Sequence, residues 1–341
     1  MGSVETAIGA VPRVGPQLSS VDRLGAFKAR WGVGRMDYMV DPGLYALGQP
    51  DQRAPVLVTA NYKLSFDALR SQLPDTPAWI LALDTRGINV WCAAGKGTFG
   101  TDELVGRIGA AQLDQVVQHR QVVVPQLGAP GVTAFEVKAR AGFRVRFGPV
   151  HARDLAAYLD AGMKATAAMR LKRFPVTERT VLIPVELVSA LRTVLPIAVV
   201  LGALAGLGSE GFLHNLRAHG LPLAAALVSG LLAGAVATPA LLPWLPGRAF
   251  ALKGMWPGLI LASLLVLVAQ PPLVGVLSAL EPAAWFLFAA AISSYLAMNF
   301  TGSSTYTSLS GVRREMRVAV PLQLGAVAVA ALLWIAGRVL A

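Results

Sequence analysis

The chain holds a single cysteine, Cys92, in the run Asn89-Val90-Trp91-Cys92-Ala93-Ala94-Gly95-Lys96. A lone cysteine forms no intramolecular disulfide and builds no structural zinc site unaided. Two roles remain for it. It is a small buried hydrophobe, or it is a sulfur that ligates or attacks something brought to it. Asn89 has the side chain of an N-cap, which puts Cys92 at the third position of a short helix. There the free backbone N–H groups and the helix dipole favour a negatively charged sulfur. Ala93, Ala94 and Gly95 carry almost no side chain, so a large flat ligand can come close to that helix. The residues alone stop at a small-walled helix presenting one sulfur.

The flanking sequence shows what must position it. Val56–Ala60 reads as a buried strand and Leu64–Leu73 as a helix. Ala78–Leu83 reads as the next strand, ending in the turn Asp84-Thr85-Arg86-Gly87 just before Asn89. Thr101–Leu113 is helical, with Thr101 a candidate cap and Leu104, Ile108 and Ala111 on one face. Val122–Pro125 and Phe143–Phe147 are strand-like, and His151–Leu159 is a further helix. Strands alternating with helices predict an α/β, Rossmann-like domain with a mainly parallel sheet. In such sheets ligands sit beyond the carboxyl ends of the strands. The segments Thr59–Lys63, Thr85–Gly97 and Gln126–Gly131 all follow strands, so they can converge on one face. No Gly-x-Gly-x-x-Gly and no P-loop occurs, which disfavours a dinucleotide or ATP site.

Composition divides the 341 residues into two halves. Overall 55% are apolar and only 14% charged, outside the norm of soluble globular chains. Residues 1–180 hold 22 of the 30 Lys/Arg and 15 of the 19 Asp/Glu. The remainder, 181–341, contains five apolar segments near or above the roughly 20 residues that cross a bilayer. They run over Leu187–Leu207, Leu221–Leu245, Met255–Leu277, Pro282–Phe300 and Val318–Leu340. The predicted organisation is a polar domain over 1–180 fused to an all-α transmembrane domain of five helices over 181–341. Arg192, near the start of the first segment, can snorkel to the interface.

Charge gives an orientation. The first thirty residues lack a continuous apolar stretch, so no cleavable signal peptide is expected. With the front domain in the cytoplasm, the inner loops carry Arg248, Lys253, Arg313, Arg314 and Arg317, and the outer ones only Arg217 and Arg338. That agrees with the positive-inside rule. The net charge of +11 has no basic-aromatic motif or helix-turn-helix beside it, which argues against nucleic acid. Membrane lipid or an acidic protein is the expected counterpart. Gly202-x-x-x-Gly206 and Gly230-x-x-x-Gly234 permit close helix packing. The apolar segments lack the paired ionisable residues of ion relays. Residues 301–311 carry eight hydroxyl-bearing side chains, suited either to a docking or substrate-path loop or to satisfying helix ends.

The run Asn89–Lys96 resembles the cap-helix motif of the HgcA family, the membrane-bound corrinoid proteins of microbial mercury methylation. The resemblance continues through Gly97-Thr98-Phe99-Gly100-Thr101-Asp102-Glu103-Leu104. It also takes in Val58-Thr59-Ala60-Asn61-Tyr62-Lys63, Pro125-Gln126-Leu127-Gly128-Ala129 and Asn299-Phe300-Thr301-Gly302-Ser303-Ser304-Thr305-Tyr306-Thr307. It spans nearly the whole chain beyond the first thirty-five residues.

This resemblance implies a corrinoid, cobalamin-like with cobalt at its centre, on the face formed by those loops. It implies Cys92 as the lower axial cobalt ligand and the catalytic residue. The implied cofactor-binding set is Thr59, Asn61, Asn89, Val90, Trp91, Cys92, Ala93, Ala94, Gly95, Lys96, Gly97, Gln126, Leu127, Gly128 and Ala129. Lys96 either meets a corrin side-chain amide or is solvated. The Asp-x-His-x-x-Gly signature of cobalamin proteins with a histidine ligand is absent, and His119 and His151 read as surface or helix-end residues.

The implied activity is methyl transfer from cobalt to Hg(II) at the cytoplasmic membrane. A ferredoxin-like protein with two [4Fe–4S] clusters (HgcB type) is the implied electron donor, and a folate-linked system the implied methyl donor. Two other readings stand beside it: a corrinoid methyl carrier of acetyl-CoA-pathway one-carbon metabolism, and a membrane-anchored binding module without catalysis.

Overall fold

The computed structural model describes residues 2–271, 276–303 and 309–340. They form two compact units, 1–172 and 173–341.

In the front unit, seven strands make one sheet in the order β1-β2-β3-β5-β4-β6-β7. They are β1 (Ser3–Thr6), β2 (Gly9–Val14), β3 (Gly43–Leu47), β4 (Val56–Ala60), β5 (Ala78–Leu83), β6 (Gln121–Val124) and β7 (Arg144–Phe147). The sheet is mixed, with four parallel pairings (β2–β3, β4–β5, β4–β6 and β6–β7) and two antiparallel ones. β5, β4, β6 and β7 are mutually parallel, whereas β3 runs antiparallel to β5 and β1 antiparallel to β2. The parallel strands β4 and β5 are buried at every residue, as apolar runs covered on both faces should be.

The α-helices of this unit are α1 (Ser20–Arg30), α2 (Lys63–Arg70), α3 (Val90–Lys96), α4 (Thr101–Ala110), α5 (Leu113–Val116), α6 (Ala134–Ala141), α7 (Leu155–Asp160) and α8 (Ala167–Arg170). Two cores flank the sheet. One gathers Val58, Leu81, Ala93, Phe99, Leu104 and Val124; the other gathers Leu57, Phe66, Ile80, Val123 and Tyr158. The expected Thr101 cap is not formed. Gly100 is the N-cap of α4, and Thr101 Oγ1 instead accepts from the Thr133 N–H at 2.9 Å, tying α4 to the start of α6.

Among its described residues the back unit has five helical segments long and apolar enough to cross a membrane: Val176–Ala205, Phe212–Leu241, Phe250–Ala269, Leu277–Thr301 and Ser310–Leu340. The first begins well before Leu187, so Arg192 is exposed near its middle rather than at its start. Arg338 donates to the carbonyls of Ala205 and Leu207, bringing the end of the last segment beside the end of the first. The segment around Leu280–Met298 is held between two Gly-x-x-x-Gly faces. A Cβ at Gly230 or Gly234 would stand 2.7 to 2.9 Å from Ala289, Ser293 or Leu296. Gly254 and Gly258, spaced the same way, are pressed on Ser293, Ala297 and Ala289. Small residues thus set this packing, as expected where lipid removes the hydrophobic drive between helices. An ionisable pair is also present: His219 Nδ1 lies 2.9 Å from Glu281 Oε2, between the starts of the second and fourth segments. Part of the hydroxyl-rich stretch 301–311, and residues 272–275 of the expected Met255–Leu277 span, lie outside the described residues.

Candidate functional site

The site begins at a turn. After β5 the chain passes through Arg86 and Gly87, both left-handed at φ 55° and 67°. A side chain at Gly87 would meet the Met36 carbonyl at 2.8 Å, so this position needs glycine on two counts. Asn61, buried at the end of β4, holds the turn. Its Oδ1 accepts from the Thr85 N–H at 3.0 Å, the Thr85 hydroxyl at 2.9 Å and the Gly87 N–H at 3.2 Å. Thr85 Oγ1 is in turn within 2.7 Å of the Ile88 carbonyl. Asn61 is therefore spent on aiming α3.

Helix α3 then starts as its sequence requires. Asn89 is the N-cap, and its Oδ1 accepts from the Cys92 N–H at 3.0 Å. Gly97 closes the helix in the left-handed conformation at φ 84°. The inward face is Val90, Ala93 and Ala94, all buried in the core. The outward residues are Trp91 and Cys92, half-buried, and Gly95, Lys96 and Gly97, exposed. Smallness thus serves two ends. Ala93 and Ala94 let the helix sit tightly on the sheet, and only Gly95 leaves the outer face low. A Cβ at Gly95 would meet nothing within 4 Å. Cys92 and Gly95 stand three positions apart, so the thiol and the open glycine share one side of the helix.

The segment Gln126–Gly131, a 3-10 turn after β6, packs beside α3. Gly128 is buried, and a Cβ there would lie 2.5 Å from Cε1 of Phe99. Gly131 would collide with the Phe99 carbonyl and approach Cα of Ala94. These glycines, with the fully buried Phe99 ring, allow the close approach of loop and helix. Gln126, Leu127 and Ala129 are half-buried. Two buried acceptors in this region have no hydrogen-bond partner, Gln126 Oε1 and Thr98 Oγ1. Native buried polar atoms are nearly always satisfied, so such orphans call for a partner.

Next to the N-terminus of α3 a cavity of about 350 Å³ opens at the carboxyl edge of the parallel strands. Its walls are Val58 and Thr59 of β4, Asn89 to Trp91, Pro125 and Leu127 after β6, Pro149 to His151 after β7, and Ser65 and Leu69 of α2. Sequence reasoning omits the β7 wall and the α2 wall. The first was visible as Gly148-Pro149 following a strand, the same signal used for the other loops. The α2 wall had no such cue. Of the expected residues, Thr59, Asn89, Val90, Trp91 and Leu127 line the cavity, and Cys92, Gly95, Lys96 and Gly97 lie on the outer side of the helix. Asn61, Ala93, Ala94 and Gly128 serve the scaffold. Elsewhere in the unit, His119 Nε2 lies 2.9 Å from the Ala54 carbonyl. Among the described residues no group of His, Cys, Asp and Glu is arranged to hold a metal ion by itself.

Residues 34–159 match the family model of the CO dehydrogenase/acetyl-CoA synthase delta subunit. The chain is also similar to the gamma subunit of the acetyl-CoA decarbonylase/synthase complex of Methanopyrus kandleri, 31% identical over 123 residues, 36% of this chain and 26% of the relative. The gamma 2 subunit of Methanosarcina thermophila is 31% identical over 130 residues, 37% of this chain and 27% of the relative. The corrinoid/iron-sulfur protein large subunit of Moorella thermoacetica is 26% identical over 126 residues, 36% of this chain and 28% of the relative. The chain spans about a quarter of the length of the curated relatives it matches. The matched stretch contains β3 to β7, the cap helix and the cavity; the five apolar helices lie outside it.

A corrin ring laid on the outer face of α3 would meet a surface that is low at Gly95 and carries one sulfur, and its peripheral amides would supply donors to the orphaned Gln126 Oε1 and Thr98 Oγ1.

Proposed function

We propose that the front unit holds a cobalt corrinoid against α3 and that the chain carries a methyl group on it for transfer. One observation carries this reading. The stretch matched by the family model builds a strand-edge cavity beside a helix on which the only thiol and an open glycine share a side, and one of the chain's relatives is by name a corrinoid protein.

When bound, a corrinoid supplies a cobalt-held methyl group that can be passed to an acceptor. The chain's own contribution is positional and electronic. Cys92 Sγ would hold the cobalt, as a soft donor that pushes electron density onto it in the way thiolates do in haem proteins. Asn89 pins the backbone at Cys92, and Asn61 and Thr85 fix the turn before it, so the sulfur sits on a preset helix. Gly95 leaves room for the ring, Gln126 Oε1 and Thr98 Oγ1 accept from its edge, and Trp91 and Leu127 supply apolar cover from the cavity side. Lys96 points to the solvent side of the same helix.

The acceptor distinguishes two readings. The relatives' names support a methyl carrier of the acetyl-CoA-pathway type, and the matches favour that reading. Transfer to Hg(II) rests on the cap motif Asn89–Lys96 and on the fused apolar helices, because a thiolate donor from Cys92 would favour release of a cobalt-held methyl group to a soft metal. A single cysteine cannot build a Cys₄ iron–sulfur cluster, so cobalt reduction falls to a separate ferredoxin-like protein in both readings. The front unit lies on the cytoplasmic side of the membrane, where such reductants and folate-linked methyl donors occur.

The test uses the purified full chain, loaded with methylcobalamin and freed of excess by gel filtration. Stoichiometric retention of the corrinoid is expected, and a chain that retains none overturns the proposal. Methylmercury formed from Hg(II) faster than from free methylcobalamin would select the mercury reading; a rate no faster would leave the carrier reading.

A further inference from the structure

Helix α1 is inside out. Its N-terminus is firmly capped, with Ser19 and Asp22 forming a reciprocal capping box. Its inward side is polar or small. Asp22 pairs with Lys63 at 2.6 Å and Arg70 at 2.9 Å, Gly25 lies against the Tyr38 ring, and Ala29 is fully buried. Its outward side is apolar: Val21, Leu24, Phe27 and Trp31 recur at helical spacing and are 38 to 77% exposed. The following segment adds Val33, Met36 and Met39, also exposed. Of the nine large hydrophobics exposed among the described residues of the front unit, seven therefore lie within 21–39.

A surface helix ordinarily turns its apolar stripe to the core, and an exposed contiguous apolar patch marks an interaction surface. This one is rimmed by cations. Arg23 and Lys28 are exposed, and Arg30 and Arg35 are half-buried, against the two carboxylates Asp22 and Asp37. Asp22 is already committed to Lys63 and Arg70, and Asp37 stands exposed beyond the helix. Aromatic and aliphatic side chains flanked by Lys and Arg form the signature of a helix that lies in the plane of a membrane interface.

We infer that α1 and the segment 31–39 form a membrane-surface element that seats the front unit on an anionic bilayer. The same chain carries five helices of membrane-crossing length, so the bilayer is present at high effective concentration and a modest apolar patch suffices. The inference does not depend on the proposed function. Its consequence is that the front unit has a fixed footing on the lipid surface rather than tumbling on a tether.

The test is made on the full chain with Cys92→Ala as background, since no other cysteine is present. Leu24→Cys and Phe27→Cys carry a nitroxide label on the patch, and Lys138→Cys carries one on an exposed polar position of α6. Each protein is placed in nanodiscs of phosphatidylglycerol mixed with phosphatidylcholine, in phosphatidylcholine alone, and in detergent. The expected result is loss of access to a water-soluble relaxing agent, with gain of access to oxygen, at 24 and 27 in the anionic nanodiscs. Position 138 stays aqueous throughout, and Arg23→Glu with Lys28→Glu restores water access at 24 and 27. Aqueous labels at 24 and 27 in every medium would overturn the inference. So would protection that persists in detergent, because the patch would then be covered by protein: the chain's own helices, a second copy or another partner.

Discussion

At the scale of single residues, the local chemistry of the cap helix was the most legible part of the chain. An Asn followed by a short small-residue run and a glycine carries its cap and its stop within nine positions, and Asn89 and Gly97 occupy those roles. What one position could not disclose is which way a small residue faces. Ala93, Ala94 and Gly128 look like ligand-facing positions in the sequence, yet they permit backbone approach, and Asn61 looks like a binding side chain while it holds a turn. Those distinctions depend on partners 24 to 37 residues away, from Thr85 for Asn61 to Gly131 for Ala94. The packing account makes a direct prediction. Gly128→Ala drives a methyl into the Phe99 ring and should cost about 1–3 kcal/mol, the usual range for overpacking. Phe99→Leu placed in the same chain should recover part of that loss, although it destabilises on its own. Thermal denaturation of the three variants measures both terms, and strictly additive losses would contradict the contact.

At the scale of elements, β4 and β5 stand out in the sequence because a strand buried on both faces is a continuous apolar run. The edge strand β1 and its neighbour β2 do not. They are short and largely exposed, and Pro12 sits in β2, so neither periodicity nor composition marks them. Helix α1 escapes for the opposite reason, since its apolar stripe points outward. Its anchor is electrostatic and sets a pH dependence. Burial alone would raise the Asp22 pKa, but hydrogen bonds from Lys63, Ser19 and Arg70 outweigh it and hold the carboxyl far below the ordinary carboxylate range. A depressed folded pKa contributes stability that is present above the unfolded value, near 4 for Asp, and fades as pH falls toward the folded one. Asp22→Asn should therefore destabilise the front unit at pH 7 by on the order of 2 kcal/mol, in keeping with hydrogen bonds to charged groups. The gap from wild type should begin to narrow only below about pH 4. A gap that is constant from pH 7 to pH 3, read from denaturation midpoints, would show that the pairing is not what the carboxylate provides.

At the scale of the whole molecule, the division into a charged front and an apolar back is legible from composition, because a bilayer demands length and apolarity that no soluble domain needs. The helix-to-helix details are not: Gly254-x-x-x-Gly258 is as regular as Gly230-x-x-x-Gly234, and only the packing against Ala289 and Ser293 shows that both are used. The proposed topology, with five alternating crossings and the amino-terminal half inside, predicts that Ala341 faces outward. A reporter fused at Ala341 should be active outside the cytoplasm and silent within it; activity confined to the cytoplasm would reverse the orientation.

The central claim is that Cys92 is the ligand of a bound corrinoid. It is tested most directly by the absorption spectrum of the corrinoid-loaded full chain, compared with Cys92→Ala and Cys92→His. Removing one half-buried sulfur should leave the chain folded, with a stability change on the order of 1 kcal/mol. The Ala protein should keep the corrinoid through its ring contacts but show a shifted spectrum for the altered axial ligand. The His protein should show a third, distinct spectrum. Identical spectra for the wild-type and Ala proteins, both loaded to the same stoichiometry, would contradict the claim and return Cys92 to the role of an incidental thiol.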